Sequence, residues 1–315
     1  MSAAVHLVRL MRRQTEANPQ GSAIARGRAA CEFDPSGSAA RIAPRAPIAV
    51  ALQETRCGVA VRGGSVVARA RKPPRQNRGA RLVMERLIRK LEWYERLSDE
   101  EKSALETAPS RIDDYKRHDV ITRQGDHPSE ACLVLEGVVG RMKILENGGR
   151  QILGFQIAGD FSDLHGIYLK TMDHGIEALA SARVAKVPHG TIKSLTEKYP
   201  RLARAFAWDL ALDGAIQREW MTSMGRRSSY QQAAHVLCEL LIRLRVVGLA
   251  ADESYDLPIT QDDLGDAFGI SSVHVNRMLQ ALRRDGLIEL KGSALKILDI
   301  QALKDAAGFD PAYME

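Results

Sequence analysis

The sequence predicts an α+β chain: short antiparallel strands closing as a barrel or sandwich, one long helix, then a helix pair with a hairpin. Three observations carry this. Short β-type runs punctuated by glycines fill residues 120–188. A proline-led apolar stripe spans residues 200–225. Two amphipathic segments then meet at Gly269, and a tight hairpin follows.

The first ordered element is a helix over residues 84–97. Ser98 precedes Asp99-Glu100-Glu101, an N-cap with acids in the first turn of the next helix. Strands are expected at 120–122, 131–135, 138–145, 151–157, 175–179 and 182–188. Asn147-Gly148 reads as a two-residue hairpin turn of type I′, which needs positive φ at both positions. In the long helix Leu202, Phe206, Leu210, Ile216, Trp220 and Met224 keep an approximate heptad. Such a stripe is either a core face or a coiled-coil seam between two chains. One helix beside a closed barrel leaves a face uncovered, so Phe206, Leu210, Ile216 and Trp220 are expected at a dimer seam. A further helix covers 229–244. Thr260 caps a short helix to Phe268, Ser271 opens another to Asp285, and Gly286 stops it. Residues 287–298 read as a hairpin.

A chain of 315 residues holds about two domains. With 45% hydrophobic and 27% charged residues its composition is that of a globular protein. No apolar run reaches the roughly 18–20 residues of a membrane span. Cys31, Cys57, Cys132 and Cys238 form no CxxC pair, which argues against a disulfide scaffold or a zinc ribbon and fits a reducing cytoplasm. The net charge of +6 is unevenly spread. Residues 1–83 hold 15 Lys+Arg and 4 Asp+Glu, leaving 30 and 35 for the remainder. A nucleic-acid function must therefore rest on local charge. Residues 1–83 are Arg-, Ala- and Gly-rich and lack periodicity, so disorder is predicted. They are a basic arm, a targeting peptide, or a stretch upstream of a true start at Met84; the last is preferred.

Function concentrates in residues 260–285. Leu264, Ala267 and Phe268 mark the inner face of the first helix, and Val275, Met278, Leu279 and Leu282 that of the second. The second helix's outer stripe is Ser272 or Val273, Asn276, Arg277, Gln280 and Arg284. It carries no acid. An arginine can take two acceptors of guanine, an amide can pair with adenine, and valine can meet a thymine methyl. A solvated surface face gives a similar pattern, but the following hairpin, with Lys291 near its tip, has the form of a wing. The acids Asp262, Asp263 and Asp266 of the first helix must point away from phosphate.

Residues 84–315 resemble the Crp/Fnr family of bacterial transcription factors. The resemblance rests on Arg123-Gln124-Gly125-Asp126, Leu135-Glu136-Gly137, Gly159-Asp160-Phe161, the long helix, and Ile259-Thr260-Gln261-Asp262-Asp263-Leu264-Gly265 through Arg277. It implies an N-terminal β-roll of the cyclic-nucleotide-binding type over 84–199, a dimerisation helix at 200–225, and a winged helix-turn-helix at 226–315. The implied function is a homodimeric, non-enzymatic regulator that reads palindromic double-stranded DNA and works with RNA polymerase. Ser272, Val273, Asn276 and Arg277 map onto the family's base-reading positions, and Thr260, Gln261, His274 and Lys291 are expected along the phosphate backbone. Val273 departs from the glutamate of the best-known branches and should change the half-site.

The sensor side lacks what cyclic-nucleotide members use. No Arg-Ser pair follows the Gly159-Asp160 turn, and Asp173 and Glu177 would repel a phosphate. Cyclic-nucleotide binding is not expected. An iron–sulfur cluster would need four thiolates, and only Cys132 falls in the roll. Asp163, His165 and Cys132 are the candidate sensor residues. His165 raises haem as an option, but no cofactor and no metal are predicted, since His165, His174 and Glu177 lack cupin spacing.

Overall fold

The computed structural model describes residues 78–314. The readings made of residues 1–77 lie outside them. Helix α1 (Arg78–Tyr94) begins ahead of Met84, where the onset of order was expected. Arg, Ala and Leu in that turn are good helix formers, although their composition reads as disorder. Its buried face is Met84, Leu87, Ile88 and Leu91, the i, i+3, i+4, i+7 spacing of a core-facing helix. Helix α2 (Asp99–Glu106) starts in a reciprocal capping box. The Glu101 amide donates to Ser98 Oγ, and the Ser98 amide donates to Glu101 Oε2 at 2.7 Å.

Seven antiparallel strands follow: β1 (Arg111–Tyr115), β2 (Val120–Thr122), β3 (Glu130–Glu136), β4 (Val138–Ile144), β5 (Arg150–Ile157), β6 (Gly175–Ala178) and β7 (Ala182–Pro188). They form sheets of order β1-β7-β3 and β2-β6-β4-β5. Cys132, Val134, Val139, Ile176 and Val184 fill the space between them. β1 escapes the sequence reading because its three charged side chains hide the alternation.

The β4–β5 hairpin is present, but its turn differs from expectation. Only Gly148 has positive φ, at 80°. The Gly148 amide donates to Leu145 O, and the Leu145 amide to Gly149 O. This is a three-residue loop in which a turn is followed by a left-handed glycine. Asn147 instead uses its side chain, accepting from the Gly149 amide at 2.9 Å.

Helix α3 (His189–Lys198), not anticipated, leads into the long α4 (Pro200–Arg226) and then α5 (Ser229–Val246). The seam expected on α4 is corrected here. Phe206, Ile216 and Trp220 are buried by their own chain. Phe206 meets Phe161 edge-on at 6.0 Å, and Trp220 meets Phe155 at 5.2 Å. Leu210 packs beside Phe206, whereas Met224 is exposed. The apolar stripe thus faces the core, where it packs on β5 and on Phe161. The barrel did not need a second chain to cover it.

The C-terminal part comprises β8 (Ser254–Asp256), α6 (Gln261–Phe268), α7 (Ser272–Arg284), β9 (Ile288–Lys291), β10 (Ala294–Ile297) and α8 (Ile300–Ala307). The expected hairpin is β9–β10, and β8 adds a third strand on the far side of β10. One apolar cluster runs unbroken from Phe155 through Trp220, Leu237 and Leu241 to Val275, Leu279 and Leu282.

Candidate nucleic-acid interface and sensor loop

Helix α6 begins with Thr260 as N-cap: its hydroxyl accepts from the Asp263 amide and donates to Asp263 Oδ2 at 2.6 Å. It ends at Gly269, whose φ of 69° makes a left-handed cap. Gly265 is required for a different reason. A Cβ there would stand 2.7 Å from Ile270 O, so the turn can close only over a hydrogen. Ser271 caps α7 by accepting from the His274 amide.

Val275, Leu279 and Leu282 bury the inner face of α7. Val273 is 62% exposed, and Arg277, Gln280 and Arg284 are exposed beside it. Ser272, His274 and Asn276 are half-buried. Asn276 Nδ2 donates to Gln261 Oε1 at 3.1 Å, so a predicted base reader and a predicted backbone contact form one amide pair across the two helices. Lys291 lies at the β9–β10 tip and pairs with Glu289 at 2.6 Å.

In the roll, the predicted sensor residues have structural partners. Asp163 is fully buried, and its Oδ1 accepts from the Cys132 amide at 2.6 Å, clasping β3. Cys132 is buried with Lys186 Nζ 2.9 Å from its sulfur. Burial, reinforced by Asp163, pushes its thiol up to about 12 despite the lysine. That is the environment of an inert thiol rather than a redox sensor. His165 lies in a short 3-10 turn (Leu164–Ile167) and stacks obliquely on His174, ring centres 5.1 Å apart. Glu177 is held by Arg150 at 2.9 Å and by His118 at 3.1 Å.

Comparison with known proteins agrees with this geometry. Residues 112–199 match the cyclic nucleotide-binding domain, and residues 231–306 match the Crp-like helix-turn-helix domain, together more than half of the chain. The chain belongs to the Crp/Fnr family. That family is one of transcription regulators, not of enzymes. Electron transport regulator A of Shewanella oneidensis is 24% identical over 67% of this chain and 84% of its own length. Transcriptional activator protein FnrL of Cereibacter sphaeroides is 27% identical over 62% of this chain and 80% of its own. The fold is that of FixK2 from Bradyrhizobium japonicum, with a TM-score of 0.56 at 23% identity, covering 62% of this chain and 96% of that one. No described helix is long and apolar enough to cross a membrane.

Within this Crp/Fnr chain, several site residues have no simple sequence signature. Arg141, in the apolar strand β4, is buried. Its Nε and Nη2 donate to the carbonyls of Ser162 and Phe161, and its Nη1 holds both oxygens of Asp213 on α4 at 2.6 and 2.7 Å. Asp160, of the Gly-Asp motif, joins three helices. Lys90 of α1 donates to it at 2.6 Å and Arg243 of α5 at 2.7 Å, while Lys90 also reaches Asp209 of α4. Burial alone would raise the Asp160 carboxyl, but Lys90 and Arg243 hold it at about 2. Asp263 and Asp266 turn toward the roll. Arg150 Nη2 reaches Asp263 at 2.7 Å, Arg150 Nε reaches Asp266 at 2.6 Å, and Arg117 Nη1 reaches Asp263 at 3.0 Å. An arginine at the turn end of a hairpin gives no hint in sequence that two of its partners lie more than a hundred residues on.

Proposed function

We propose that this Crp/Fnr regulator is a homodimer that binds a palindromic operator through α7 and whose sensor roll does not take a cyclic nucleotide. The acid-free outer face of α7 carries the reading. Val273, Asn276, Arg277 and Gln280 offer one apolar group, two amides and one guanidinium to a major groove. Arg283 and Arg284 lie in the last turn, and Thr260, Gln261, His274 and Lys291 flank the face for phosphate contact. Asn276 enters the groove already oriented by Gln261. Against a cyclic nucleotide stand the absent Arg-Ser pair and the engagement of Glu177 by Arg150. RNA polymerase is the expected protein partner, in a bacterial cytoplasm.

Dimerisation is assigned to the opposite face of α4 from the one first expected. Ala207, Ala211, Gly214, Arg218, Met221 and Gly225 recur at alternating spacings of four and three residues. All six are exposed or half-buried, with Met221 69% exposed. That is the period of a coiled-coil seam, and its small residues let two helix backbones approach.

Selection from a random duplex pool with the purified full-length chain tests the reading. The expected winner is a palindrome with half-sites about one helical turn apart, bound with an affinity that falls steeply with salt. No enrichment, in the absence or presence of added divalent metal, would remove DNA recognition from α7.

A further inference from the structure

The loop between β5 and β6 folds back to bring His165 onto the adjacent pair Asp173 and His174. His165 comes from the 3-10 turn, and Asp173 and His174 immediately precede β6. Asp173 Oδ1 lies 2.9 Å from His174 Nδ1 and 3.6 Å from His165 Nε2. Each of the three offers one metal-ligand atom, and these atoms lie within 4.8 Å of one another. Tetrahedral donor atoms about 2.0–2.1 Å from a shared ion stand about 3.3 Å apart, so side-chain rotation closing the widest pair by up to about 1.5 Å completes the set.

Buried ring nitrogens without a partner single this cluster out. His174 is 5% exposed, yet its Nε2 has no hydrogen-bond partner in the protein; the same holds for Nε2 of His165. A buried polar atom left so is costly. A third such nitrogen, Nε2 of His189, lies against Gly166, the neighbour of His165. Asp173 is 59% exposed, which leaves a path from solvent.

We propose that His165, Asp173 and His174 form a binding site for one divalent first-row transition metal ion. Two imidazole nitrogens and one carboxylate oxygen suit zinc, cobalt, nickel or iron(II), whereas magnesium and calcium prefer oxygen-only shells. The three protein ligands leave further coordination positions open. The site also has a physical route to the rest of the molecule. The Arg141 guanidinium acts on both imidazoles and grips Asp213 of α4. A dication in the cluster repels that guanidinium and so bears on the helix assigned to dimerisation. This last step deepens the proposed regulatory function and rests on it; metal binding itself does not.

The test is uptake of Zn²⁺ and Co²⁺ by chelator-treated full-length protein, followed by calorimetry and by the cobalt d–d absorption. The expected result is one saturable ion per chain, with nitrogen-ligand absorption for cobalt. His165→Ala and His174→Ala should each weaken binding by about 10–100-fold, and Asp173→Asn by about tenfold. Asp173→Asn changes an exposed, near-isosteric group, so its effect cannot come from misfolding. His118→Ala, on the exposed end of the roll, should bind as the parent does. Absence of saturable binding, or unchanged affinity in the His165→Ala/His174→Ala double variant, overturns the proposal. Uptake is read without DNA, so failure of duplex selection strikes the regulatory reading alone.

Discussion

Arg277 stands exposed on α7, next to the amide pair of Asn276 and Gln261. A guanidinium there can reach two acceptors on one guanine, so Arg277→Ala should cost about 1–3 kcal/mol at a single base pair and relax specificity there. The check is binding to a panel of single-site operator variants; equal weakening on every sequence would make Arg277 a phosphate contact. His235 makes a residue-scale prediction of another kind. Burial, with Arg227 adding, lowers its pKa from 6.5 to about 4. Between those values the unfolded chain takes up a proton that the native chain refuses. Stability should therefore fall as pH drops from 6.5 toward 4, then level off for this group. Urea unfolding across that range should show a shallower loss in His235→Gln.

Helix α4 shows what a sequence period can and cannot decide. Its two stripes are both helical in spacing: the apolar one turned out to face the core, and the small-residue one faces outward. Ala211→Arg should block close approach of two α4 helices and yield monomers by sedimentation, with the protomer still folded. Ile216→Ala should instead destabilise the protomer by about 2–5 kcal/mol. At the α6–α7 turn, Gly265→Ala drives a Cβ against Ile270 O and should cost about 1–3 kcal/mol while weakening duplex binding. The strands β3 to β7, both interface helices and their caps were legible because alternation, capping boxes and glycines are local signals. β1, α3 and the turn type at Asn147-Gly148 were not: charged side chains masked the first, nothing in the sequence pattern had marked the second, and the third depends on which residue takes positive φ. The Arg150–Asp263 and His165–His174 contacts join parts of the chain that only the fold brings together.

At the scale of the molecule, the roll and the helix-turn-helix part share one apolar core and several arginine contacts, of which that of Arg150 is the most branched. Arg150 meets Glu177, Asp263 and Asp266, and Asp263 is fully buried. Arg150→Gln should lower stability by about 3 kcal/mol, the lower end for breaking a buried pair because Arg117 still faces Asp263. Hydrogen exchange should locate the loss in α6 and β5; protection unchanged in both would show the contact to be idle.

That contact also alters how charge is distributed against a duplex. Helix α6 carries carboxylates where the first helix of such a pair crosses the phosphate backbone, and two of them are neutralised by cations that belong to the roll. Affinity for DNA is then partly a property of residues outside the DNA-binding part. By reciprocity, whatever the roll does for the duplex the duplex must do for the roll. Operator binding should slow amide exchange in β5 and β6 as well as in α7, and a roll deprived of Arg150 should lose that response while α7 keeps its own.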